Sequence, residues 1–243
     1  MLPMKECAKE TPSQACGTIA TILPDWVSVA ESFGVHHGVL LPEEEALVHS
    51  AMPTRCAELA AGRTCARRAL AGLGISSQPI LCGPEREPIW PLGIVGSITH
   101  CDGYCAAGVA LSNNDRWFGI DAEPNSPMPE GLIDIVASER EIEMAADASI
   151  CITNWDRLLF SAKESVYKTW YPIRKAWLDF KDIAIALMPA TSSFALTFLS
   201  PAMNWFEHRR STFSGRYLLT ESHIFTSAVV SASLDKDERY TRN

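Results

Sequence analysis

The stretch WDRLLFSAKESVYKTW, Trp155 to Trp170, repeats its apolar residues at helical spacing. Trp155, Leu158, Leu159, Ala162, Val166 and Trp170 fall on one stripe when residues advance by about 100° each, so the segment is an amphipathic helix that must cover a core. Pro172 is expected to end it, because proline lacks the N–H that the preceding turn needs. The same segment carries Lys163, Glu164 and Lys168. Glu164 and Lys168 stand four apart, in the orientation of a helix-surface ion pair worth about 0.2–0.5 kcal/mol. Lys163 lies about 100° around the helix from Glu164 and does not extend that pair. The sharper reading is a carboxylate that completes a metal site or takes a proton, beside lysines that hold phosphates.

The rest of the chain says what this helix packs on. IVGSITH and YCAAGVAL read as strands joined by a turn at Cys101-Asp102-Gly103. Trp117 to Ile120 is a short strand, with Asp121 and Glu123 at its end and Pro124 stopping it. IAIAL, SFALTFL, GRYLL and FTSAVVSA alternate as further strands. Leu41 to Leu73 reads as helical, opened by Pro42 with acidic residues and punctuated by Gly72 and Gly74. ILCGPEREPIWPLG is a loop, SEREIEMAADA a charged helix, and the tail from Asp235 polar and frayed. The fold class is α+β, with hairpin-joined, mainly antiparallel strands.

Length and composition set outer limits. The 243 residues suffice for one large domain or two small ones, and 47% hydrophobic with 21% charged residues suits a buried core. A net charge of -8 argues against broad nucleic-acid binding, which needs a basic face. It leaves room for a local basic patch around Arg63, Arg67 and Arg68, or around Arg174 and Lys175. No apolar run approaches the roughly 20 residues that cross a bilayer, and the N-terminus lacks a signal-peptide apolar region. The expectation is a cytoplasmic protein with no membrane partner. Eight cysteines are then expected as reduced thiols. HCDGYC offers three zinc-type ligands with no second cluster, and small buried cysteines on a strand are the ordinary alternative.

Three further features carry chemistry. Asp121 and Glu123 are two apart on a strand, so their carboxylates point to one side. Like charges that close call for a cation such as Mg²⁺, unless they are simply a solvated strand end. Arg63 and Arg67 share a helix face, either as surface arginines or as a phosphate clamp. Ser97-x-Thr99-His100, Asp121-x-Glu123 and the Lys163-Glu164-to-Lys168 stretch follow in order on strand, strand and helix. Together they could hold a magnesium pyrophosphate and a general base, which indicates Mg²⁺-dependent phosphoryl-type transfer.

At these residues the sequence resembles the 4′-phosphopantetheinyl transferases of the surfactin/enterobactin type, most of all their actinobacterial branch. WPLGIVGSITHC, FGIDAEPN and WDRLLFSAKESVYKTWYP carry the resemblance, with RCAELAAGRTCARRAL more weakly; it runs from about Glu43 to Phe180. It implies a pseudo-dimer of two similar α+β halves, each a small antiparallel sheet with a long helix and the active site between them. The halves would be residues 1–115, with coenzyme A phosphate contacts, and 116–243, with the metal-binding acids. It implies Mg²⁺-dependent transfer of phosphopantetheine from coenzyme A to a serine of an apo carrier protein, releasing adenosine 3′,5′-bisphosphate. The enzyme would be a monomer serving peptide, polyketide or siderophore carriers of secondary metabolism.

By the same resemblance, Asp121, Glu123 and Glu164 ligate Mg²⁺, and Glu164, or a water it orients, takes the serine proton. Lys168 supports the pyrophosphate, Thr99 and His100 contact coenzyme phosphates, and Arg55 and Arg63 hold the 3′-phosphate end. Lys163 adds a phosphate contact or supports the surface. The CGPEREP loop, with Gly83, Glu85 and Arg86, lies near the adenine. It departs from the family pattern: Pro84 and Glu85 stand where basic residues are expected, and Arg86 replaces a glycine. Either Arg86 supplies the missing charge or coenzyme binding is weaker. Carriers of this class are acidic, so docking is expected to be apolar at its centre with help from Arg174 and Lys175. The alternatives are a catalytically weak coenzyme- or carrier-binding member and a Mg²⁺-dependent phosphohydrolase acting on coenzyme A.

Overall fold

A computed structural model describes residues 17–112, 116–145, 152–199 and 211–232. Two antiparallel sheets organise them. The first has three strands, β1 (Ser28–Phe33), β2 (Ile94–Cys101) and β3 (Tyr104–Leu111), in the order β1-β3-β2. The second has five, β4 (Arg116–Pro124), β5 (Ile183–Met188), β6 (Ser193–Phe198), β7 (Ser211–Leu219) and β8 (His223–Ala232), in the order β4-β8-β7-β6-β5. Short helices α1 (Pro42–Glu45), α3 (Ile133–Val136) and α4 (Glu139–Ala145) flank two of 20 residues, α2 (Pro53–Gly72) and α5 (Trp155–Arg174). α2 lies on the first sheet and α5 on the second. No helix among the described residues is long and apolar enough to cross a membrane.

Side-chain size explains how closely these layers meet. β3 turns Cys105, Ala107 and Val109 toward Ala61, Cys65, Ala66 and Ala69 of α2. Its alternate residues Tyr104, Ala106 and Ala110 join Phe118, Ile120, Ala122, Phe225 and Val229 of the second sheet. The first sheet is thus buried on both faces, and small residues let its neighbours approach. Behind the second sheet, Leu158, Leu159, Ala162, Val166 and Trp170 of α5 enter a core with Ile183, Ile185, Phe194 and Ile224, as the apolar stripe requires. Gly119 lets α5 sit directly on β4: a Cβ there would stand 2.2 Å from the Ser165 carbonyl oxygen.

Several boundaries differ from the sequence expectation. The acidic strand runs to Pro124 because β8 pairs it throughout, Asp121 opposite Thr226 and Glu123 opposite Ile224, so both acids lie within the strand. The helical reading of Leu41–Leu73 breaks at Pro53, which has no N–H to continue a helix and starts α2 instead. α5 continues through Pro172 to Arg174; Lys175, left-handed at φ 50°, ends it by donating its N–H to the Tyr171 carbonyl. So near the terminus, proline breaks little. β1 has no counterpart in the sequence reading. The frayed-tail expectation lies outside the described residues.

Candidate active site

Strand alternation places the site. Asp121 is two residues beyond Gly119 and faces α5 with it. There Lys168 Nζ donates to Asp121 Oδ1 at 2.6 Å. Asp121, Glu123, Glu164 and Lys168 line a cavity of about 730 Å³, with Arg55, Arg63 and His100 on the wall from α2 and β2. Elements of both sheets and both long helices therefore share one cavity. Helix spacing explains the α5 wall: Phe160, Glu164, Lys168 and Tyr171 follow at intervals of three or four, and Tyr167 stands three beyond Glu164 and four before Tyr171.

The acids are arranged unequally. Asp121 is buried; its Oδ1 accepts from Lys168 and, at 3.2 Å, from Thr99 Oγ1, while its buried Oδ2 has no partner among the described residues. Glu123 Oε2 accepts from Arg157 Nη1 at 2.9 Å. Burial, reinforced by Asp121, pushes the Glu123 carboxyl up to about 7 despite Arg157. Burial also raises Glu164, against the pull of Lys168. For Lys168 burial works downward, but Asp121 and Glu164 outweigh it and hold the ammonium above its ordinary value.

The opposite wall carries Arg55, Arg63 and Arg86 among Glu58, Glu85 and Glu87, and Arg55 Nη1 donates to Glu58 Oε2 at 3.1 Å. Arg55 Nη1 lies 3.0 Å from His100 Nε2. A guanidinium only donates, so Nε2 accepts and the ring is neutral, with its hydrogen on Nδ1. Burial, and then the cations Arg55 and Lys168, hold the His100 pKa below its usual value against the pull of Glu58. Arg63 is buried; its Nη2 donates to Cys82 Sγ at 3.1 Å and its Nε has no partner among the described residues. Glu85 and Arg86 line the mouth, with Arg86 left-handed at φ 65°.

Thr99 lines the cavity; its hydroxyl donates to Asp121 Oδ1 at 3.2 Å and its oxygen accepts from Ala122 N–H at 2.9 Å. Three expectations need correction. Lys163 is not a phosphate contact: its Nζ donates to Glu141 Oε2 and to the carbonyls of Val136, Phe180 and Ile183 within the core. The 100° offset from Glu164 turns it inward rather than toward the cavity. Gly83 is outside the cavity wall; its N–H donates to the Glu87 carbonyl, and a Cβ there would meet the Glu87 carboxylate. Arg67 is neither solvated nor a clamp: it is bound to Glu44, which is fully buried.

Among the described residues, no three His, Cys, Asp or Glu side chains are gathered closely enough to hold a metal unaided. Lys168 and Arg157 occupy two of the carboxylates instead. The donors still fit a hard cation. Asp121 Oδ2 is a buried oxygen with no partner among the described residues, and Mg²⁺ needs few protein oxygens when water and substrate phosphates complete its shell.

Sequence reasoning missed Arg157, although it stands seven residues before Glu164 and so on nearly the same helix face. Arg157 also donates to the carbonyls of Ser126 and Pro127, fastening the loop after β4. It missed Lys175 Nζ to Glu87 Oε1 at 3.3 Å as a link across the cavity mouth, which no local pattern signals.

Residues 43–110 match the 4′-phosphopantetheinyl transferase N-terminal domain, and residues 118–224 match the 4′-phosphopantetheinyl transferase superfamily. The chain is 41% identical to the 4′-phosphopantetheinyl transferase Svp of Streptomyces mobaraensis, over 88% of this chain and 89% of that protein. It is 38% identical to PptT of Mycobacterium tuberculosis, over 75% and 82%, and 35% identical to enterobactin synthase component D of Salmonella typhi, over 58% of each. The chain belongs to the 4′-phosphopantetheinyl transferases, a family of enzymes that modify carrier proteins.

Proposed function

We propose that this cavity transfers the 4′-phosphopantetheine group of coenzyme A to a serine of an apo carrier protein, with Mg²⁺, releasing adenosine 3′,5′-bisphosphate. The observation that carries the reading is Asp121, a cavity-lining acid whose buried Oδ2 has no hydrogen-bond partner among the described residues, in a cavity also lined by Glu123, Glu164, Lys168, Arg55 and Arg63. Asp121, Glu123 and Glu164 would hold the metal. When bound, Mg²⁺ offsets the charge of the pyrophosphate and of the departing oxygen.

The chain's own residues do the rest. Arg55, Arg63, Arg86 and the Nδ1–H of neutral His100 hold the phosphates of the adenosine end. The serine oxygen bonds to the phosphorus that bears pantetheine, and the bond from that phosphorus to the bridging oxygen breaks. The bridging oxygen leaves on adenosine 3′,5′-bisphosphate, beside the Lys168 ammonium. Glu164 takes the serine proton; burial, by raising its proton affinity, suits it to that role. The cysteines need no part in this chemistry. We read residues 1–115 and 116–243 as the two halves of a pseudo-dimer, a division supported by one sheet and one 20-residue helix in each. The likeness to an enterobactin synthase component supports carriers of siderophore, peptide or polyketide synthesis as partners.

The test incubates the protein with apo carrier, coenzyme A and Mg²⁺ and weighs the carrier by mass spectrometry. A gain of one phosphopantetheine, abolished by a chelator, is expected. Coenzyme cleavage without carrier gain, or gain that survives metal removal, overturns the reading.

A further inference from the structure

The two sheets meet at the site through hydroxyls rather than through a continuous ladder. On β2, Ser97 Oγ accepts the N–H of Ile120 at 3.1 Å, and Thr99 Oγ1 accepts the N–H of Ala122 at 2.9 Å. Ile120 and Ala122 are the two neighbours of Asp121 on β4. Thr99 therefore grips the backbone beside the acid with its oxygen and the acid itself with its hydrogen, 3.2 Å from Oδ1. Lys168 donates to the same Oδ1 from α5. Two donors from two elements converge on Oδ1 and leave Oδ2, a buried atom, without a hydrogen-bond partner among the described residues.

We infer that Thr99 is a positioning residue for Asp121, whose hydroxyl aims Oδ2 at a divalent cation. The inference rests on the metal-dependent reading above. A hydroxyl behind a metal-binding carboxylate restricts its rotation and keeps its lone pairs directed, and loss of such a partner commonly weakens metal binding about 10–100-fold. Lys168 alone would not replace it, because one donor at Oδ1 leaves the carboxylate free to turn about that contact.

The test measures Mn²⁺ binding by electron paramagnetic resonance, with coenzyme A present, in the unsubstituted protein, Thr99→Val and Thr99→Ser. Valine keeps the shape and removes the hydroxyl; serine keeps the hydroxyl. Thr99→Val should raise the Mn²⁺ dissociation constant about 10–100-fold, and Thr99→Ser should stay near the parent value. Thermal melting runs alongside, because a merely structural bridge would lower the melting temperature without moving Mn²⁺ affinity. Should Thr99→Val not fold, Thr99→Cys, with its weaker donor, should give an intermediate loss. Unchanged Mn²⁺ affinity in the variant that folds, or an equal loss in Thr99→Ser, overturns the role of Thr99 and leaves the metal reading intact. No Mn²⁺ binding by the unsubstituted protein overturns the metal reading and the role with it.

Discussion

Lys163 Nζ donates to Glu141 Oε2 at 2.8 Å within the core, while the next residue on the helix, Glu164, faces the cavity. One residue step thus separates a structural charge from a chemical one. Glu141 also accepts from Ser138 and from the Ile185 N–H, so the pair ties α4, α5 and β5 together. Lys163→Met would leave the Glu141 carboxylate without its buried cation, a loss expected to cost about 3–5 kcal/mol. Urea unfolding should report it, while the folded fraction keeps its coenzyme KM. A variant of ordinary stability with weakened coenzyme binding would return Lys163 to the phosphate site.

Glu164 should behave in the opposite way. Glu164→Gln keeps the size of the side chain but removes both the proton acceptor and a metal charge. Turnover should fall by roughly 10²-fold or more, the usual contribution of a positioned base. Melting temperature should stay constant or rise, because the repulsion between the half-buried Glu164 carboxylate and Asp121 is relieved. Near-parental turnover in a single-turnover assay would remove Glu164 from its role.

These two neighbours also show what the sequence could carry. The 100° offset between them was legible, as was the stripe of Leu158, Leu159, Ala162, Val166 and Trp170 that makes α5 a core helix. Which side of the offset was buried was not, since that depends on Glu141 and on the carbonyls of Val136, Phe180 and Ile183, distant in sequence. Asp121 and Glu123 were legible as a pair because strand alternation is local. The contact of Thr99 with Asp121 was not legible, because the two lie 22 residues apart and across a sheet junction. Arg157 could have been found from its helix face, whereas β1, which pairs with β3 alone and is only partly buried, left no clear alternation.

His100 offers a prediction in pH. Folding holds its pKa below the ordinary value of about 6.5, so the unfolded chain takes up a proton first as pH falls. The stability this confers is intact above about 6.5 and is lost as pH drops from there toward the folded value. An NMR titration of the ring should give a midpoint below 6.5 in the free protein, and His100→Gln should flatten that limb of the stability profile. A midpoint at or above 6.5 would contradict the neutral, Arg55-bonded ring.

The mouth of the cavity gives another. Lys175 Nζ lies 5.0 Å from the Tyr171 ring centroid while bonded to Glu87, and Arg174 stands over the Trp170 ring. Replacing both cations, Arg174→Glu with Lys175→Glu, should raise the KM for an acidic carrier and weaken its dependence on salt, with kcat little changed. Unchanged KM and unchanged salt dependence would exclude this patch from docking.

Gly119 gives the most geometric prediction. Its place on β4 is set by β8, opposite Ala228, and α5 lies against it with the Ser165 carbonyl and the Thr169 N–H. An added Cβ would stand 2.2 Å from the Ser165 oxygen and 2.7 Å from the Thr169 nitrogen, and both are backbone atoms that cannot rotate away. α5 would have to withdraw, and it carries Glu164 and Lys168. Gly119→Ala should therefore cost about 1–3 kcal/mol of stability, the usual range for overpacking. It should also lengthen the contact of Lys168 with Asp121 and lower turnover beyond what the unfolded fraction explains. Activity measured per folded molecule, with folding followed by circular dichroism, separates the two effects. A stable Gly119→Ala protein with full turnover would mean that α5 need not rest on β4 to set the distance between lysine and acid.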